Sequence, residues 1–99
     1  MIISTVVNEV TAEAERQANV VKLAFNEKFR PRVAQILQDM ALTKIRRAQG
    51  AETSLAEAAL DAALANMTEM QRDTIVDAAK TVALTALSVA VKVLAGAAL

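Results

Sequence analysis

Nucleophilic catalysis needs a base beside the nucleophile, and this chain has no His, Cys or Tyr to supply one. Its best remaining couple is Ser88 and Lys92, one helical turn apart. A lysine so placed can activate a hydroxyl, but a polar stripe with a snorkelling lysine needs no special environment. Carboxylates recur at the same spacing in Glu9/Glu13, Glu57/Asp61 and Asp73/Asp77. Metal centres in helical bundles join such pairs to Glu-x-x-His, so without histidine these pairs are read as solvated acidic faces. The sequence also lacks a glycine-rich phosphate loop. It therefore assigns no catalytic residue, metal ligand or cofactor, and the expectation is a protein that is not an enzyme.

Charge offers a second kind of chemistry. The net charge is zero, so no overall field pulls the chain to nucleic acid or to a membrane. The distribution is uneven, however. Between residues 16 and 47 lie Arg16, Lys22, Lys28, Arg30, Arg32, Lys44, Arg46 and Arg47 against only Glu27 and Asp39, and acidic stretches flank this block. Lys28, Arg30 and Arg32 around Pro31, with Lys44, Arg46 and Arg47 before Gly50, are the candidate phosphate contacts of a nucleic-acid-binding, packaging or regulatory protein. Against that reading, Phe25 and Phe29 are the only aromatics and no helix-turn-helix signature appears. Helix-end compensation or pairing between subunits explains the same cations.

Apolar content is the larger signal. Hydrophobic residues make up 55% of 99 residues, mostly Ala and Val. A single small domain (here residues 1–99) leaves much of its surface exposed, so the surplus points to burial against another chain or lipid. The leading expectation is a structural or interaction subunit, packed through Ala/Val-rich helices against copies of itself or another protein. A virion or secretion-type particle would be such an assembly. The N-terminal residues have no basic region and reach Glu9 early, so no signal peptide is expected and the location is taken as cytoplasmic or within a particle.

The elements that must position these residues are helices. Ile3, Val7, Val10, Ala14, Ala18, Val21, Phe25 and Phe29 step by three or four, which predicts a helix over 4–29. Pro31 suits the first turn of a second helix over 31–49, with Gly50 as its C-terminal stop. Ser54 and Glu57 have capping-box spacing before a third helix over 54–66. Thr68 and Gln71 repeat that spacing before a fourth over 69–95. The fold class is all-α, either a long helical hairpin or a small three- or four-helix bundle.

The last helix is apolar around most of its circumference. Its polar residues Thr81, Thr85, Ser88 and Lys92 share one narrow stripe. Such a helix is buried, and Val82, Ala83, Ala86, Leu87, Ala90, Val93 and Leu94 are expected to form an oligomer interface. A third reading has residues 81–99 inserting into a membrane, although Lys92 falls inside that segment and no aromatic or basic belt flanks it.

Overall fold

The structure, a computed structural model, describes the backbone of residues 4–98 and the side chains of 4–89, 91 and 92. Helix α1 spans Ser4–Val21, α2 Arg30–Ala48, α3 Ser54–Ala65 and α4 Glu69–Ala98. The four-helix alternative is the one realised. Helices α1, α2 and α4 pack against one another in a bundle, and α3 leans chiefly on α2.

The first helix is shorter than its apolar stripe. After Val21 the chain tightens into a 3-10 turn over Lys22–Ala24, and Phe25 is extended at φ −123° and ψ 151°. The Asn26 side chain accepts a bond from the Phe29 N–H at 2.9 Å. The Phe25 and Phe29 rings stack with centroids 5.3 Å apart. Four-residue spacing brings two rings together at a corner as readily as on a helix face, which is why the stripe overran to residue 29. Pro31 then sits in the first turn of α2, where its missing N–H and fixed φ cost nothing.

The other ends follow local chemistry. Gly50 at φ 83° lets its own N–H reach Arg47 O and the Ala51 N–H reach Arg46 O, each at 3.0 Å. This is a Schellman closure of α2. Thr68 and Gln71 form a reciprocal capping box, Gln71 N–H to Thr68 Oγ1 at 3.2 Å and Thr68 N–H to Gln71 Oε1 at 3.1 Å. Ser54 and Glu57 do not. Instead the Glu52 carboxylate accepts from both the backbone N–H and the hydroxyl of Ser54 at the start of α3, while Glu57 turns to Arg47.

Gln71 does more than cap. Its Nε2 donates to Ala24 O at 2.9 Å, tying the start of α4 to the end of the 3-10 turn. Helices α1 and α4 therefore run antiparallel. The core between the three helices joins Val6, Val10 and Ala14 of α1, Val33, Ile36, Leu37, Ala41, Leu42 and Ile45 of α2, and Ile75, Ala78, Ala79, Val82, Ala83 and Ala86 of α4. At 1.5 Å per residue, α4 is about 45 Å long, close to the 47 Å length of the whole molecule.

Ile75 is fully buried, whereas Leu23 stands on the surface. Ile75→Ala is expected to lower stability by about 2–5 kcal/mol in denaturant unfolding, and Leu23→Ala by less than about 0.5 kcal/mol. Equal effects at the two sites would contradict this core.

Candidate interaction surfaces

The residues expected at an oligomer interface divide in two. Val82, Ala83 and Ala86 are buried against α1 and α2 of the same chain, so they have no surface to offer a second one. Ala79, Ala83 and Ala86 do allow close packing of helices, but inside the protein. Leu87 is exposed, and the side chains of Ala90, Val93 and Leu94 lie outside the described residues.

A different set of α4 residues faces outward. Leu84, Leu87 and Val91 are 67%, 48% and 65% exposed. They fall three and four residues apart, so they form one line turned away from buried Ile75, Val82 and Ala86. Extending that line towards the helix start gives Lys80 and then Asp77, both exposed. The outward side of α4 thus changes from charged to apolar along its length. Sequence alone did not separate this line from the buried one, because both sides of the helix are Ala, Val and Leu.

The basic residues are not one patch. Arg30 is half-buried, and its Nε donates to Lys22 O at 2.9 Å and Phe25 O at 3.0 Å, which braces the corner between α1 and α2. Arg47 pairs with Glu57 at 2.8 Å. The exposed remainder are Lys28 and Arg32 at one end of α2, Lys44 and Arg46 at the other. Twelve residues of helix separate Arg32 from Lys44, about 18 Å. On the side of α2 shared by Arg32 and Arg46 lies Asp39, held by Gln35 Nε2 at 2.8 Å. A phosphate backbone tracking that side would meet a carboxylate halfway along.

Of the carboxylate pairs, the fold splits Glu9 from Glu13. Glu13 is buried, one oxygen bound by Arg16 and the other by Gln17 at 3.0 Å, while Glu9 is exposed. Asp73 and Asp77 are exposed, as are Ser88 and Lys92. Among the described residues no group of three or more carboxylates gathers to hold a metal ion. Nor, among them, is any helix long and apolar enough to cross a membrane.

Helix α3 presents the second feature. Nine of its twelve residues are Ala or Leu, yet none is buried, and Leu55 is 86% exposed. Leu60, Ala63 and Leu64 half-bury against the core. Between α3 and α2 runs an open groove of about 540 Å³ with Met40, Leu60 and Leu64 as its apolar floor. Lys44 and Arg47 stand on its α2 wall, Glu57 and Asp61 on its α3 wall.

Two outcomes test this description. The Ser54 hydroxyl, followed by the Ser54 amide, holds the Glu52 carboxyl below its ordinary pKa. That contribution is complete above the ordinary carboxylate pKa and is lost as pH falls through the depressed folded value. The protection factors of α3 amides, exchange divided by its intrinsic rate at each pH, should therefore fall on acidification ahead of those of the bundle, with the Glu52→Gln variant starting less protected and changing less. Arg30→Ala, by contrast, is expected to lower stability by about 1–3 kcal/mol at neutral pH through its two carbonyl partners, read by denaturant unfolding.

Compared with protein-family models, curated proteins and solved structures, the chain finds no match.

Proposed function

We propose that this protein is a non-enzymatic structural or interaction subunit, assembling through the outward face of α4 into a homo- or hetero-oligomeric particle. The observation that carries this reading is the line Leu84, Leu87 and Val91. Single exposed apolar residues such as Val20 or Met70 are ordinary on a protein surface. Three at helical spacing on one side of the longest helix are what a partner helix reads, since anchors at i, i+3 and i+7 seat in a neighbouring groove. The charge pattern favours this over nucleic-acid binding, because two of the six candidate cations are engaged within the chain and Asp39 interrupts the others.

The test is absolute mass by light scattering on untagged, detergent-free protein at low and high salt. A defined oligomer that persists in high salt is expected, because apolar contact is not screened. Leu84→Glu with Leu87→Glu should reduce the mass to that of one chain while leaving the helical signal intact. Ala86→Lys should unfold the protein instead, since Ala86 is in the core. A monomer whose retention on DNA or RNA falls with salt, and disappears on reversing Arg46 and Arg47, would replace this reading with the nucleic-acid one.

A further inference from the structure

We infer that the partner of the α4 line is a second copy of this chain, and that it seats in the groove between α2 and α3 of that copy. This rests on the assembly reading above and names the receiving surface. The chain carries both halves of a helix-in-groove contact: an exposed ridge, and a groove floor that the core only half-covers. One half is the ridge Leu84, Leu87 and Val91; the other is the apolar floor Met40, Leu60 and Leu64.

Charge supplies the match. The ridge is headed by Asp77 and Lys80, on the same line as the apolar anchors, with Asp73 one turn further along it. The groove is rimmed by one base and one acid, Lys44 and Asp61, facing each other from α2 and α3. Asp77, Lys80, Lys44 and Asp61 are exposed, and among the described residues none has an ion-pair partner; Arg47 and Glu57 already satisfy one another. A docked ridge places Asp77 against Lys44 and Lys80 against Asp61. A parallel pairing of two α4 ridges instead sets Asp77 against Asp77 and Lys80 against Lys80, which is repulsive. An antiparallel one leaves the groove empty.

A ridge entering a groove elsewhere on the next molecule is a heterologous contact, so a docked pair keeps one free ridge and one free groove. That property gives a complementation test. The ridge variant carries Leu84→Glu and Leu87→Glu; the groove variant carries Lys44→Glu and Asp61→Lys, four exposed positions whose exchange leaves the core untouched. Each variant alone is expected to lose self-association at least tenfold by light scattering, with circular dichroism confirming the fold. Mixed, they are expected to give a 1:1 dimer and nothing larger, because only one competent ridge and one competent groove remain. Restoring charge match within one chain, by adding Asp77→Lys and Lys80→Glu to the groove variant, should recover assembly.

If the groove variant assembles like the parent while the ridge variant does not, α4 is the interface but the groove is not its receiver. If both variants are monomeric and their mixture stays monomeric, the pairing is overturned. If the parent is itself a monomer, the assembly reading fails before the groove is in question.

Discussion

The bundle depends on how closely α4 can approach its neighbours. Among its described residues six are buried and four of these are alanines, at 78, 79, 83 and 86, while α2 contributes Val33, Ile36, Leu37, Leu42 and Ile45. Small side chains on one helix opposite branched ones on the other let the axes approach closely, which dense packing requires. Ala83 and Ala86 cannot grow without forcing α1 or α2 outward. The same economy explains the near-absence of aromatic rings: a large ring would not fit such a seam, and the two present are placed at the corner before α2.

Once α4 is committed to that seam, the rest of the molecule takes what space remains. Gln71 sets its register by closing the cap on Thr68 and reaching Ala24 with the same side chain. Helix α3, joined to α4 by the short turn at residues 66–68, is then confined to the outside of α2. Twelve residues make a helix too short to be stable alone in water, so α3 holds its shape through three half-buried apolar side chains, the Glu52 cap and the Arg47–Glu57 pair. Its apolar character is thus mostly left on the surface.

Signals that act within a few residues were legible in the sequence, and signals that depend on neighbours were not. Gly50, Pro31 and the Thr68/Gln71 box each do locally what their residue types dictate. The four helices follow, with the 4–29 segment divided at a corner that Phe25 and Phe29 disguised as a stripe. The apolar character of α4 was equally plain, but which side turned inward depended on where α1 and α2 lay. Periodicity cannot choose between Val82/Ala83/Ala86 and Leu84/Leu87/Val91 when both sides are apolar. Arg30 was counted as a surface cation because its carbonyl partners, Lys22 and Phe25, come within reach only once the corner forms. Glu13 was read as solvated, though Arg16 and Gln17 one turn on, and Val6 and Val10 on its own side, were the signal of a satisfied buried carboxylate.

The antiparallel pairing of α1 with α4 has a consequence for how the chain reaches this state. Helix α1 is covered by α4, and the tie between Ala24 and Gln71 spans 47 residues. Closing so long a loop carries an entropic penalty before any contact rewards it. Until α4 docks, Val6, Val10 and Ala14 have α2 to lie against. The α1–α2 corner, braced by Arg30 and the stacked rings, is the structure that keeps α1 in place during that interval.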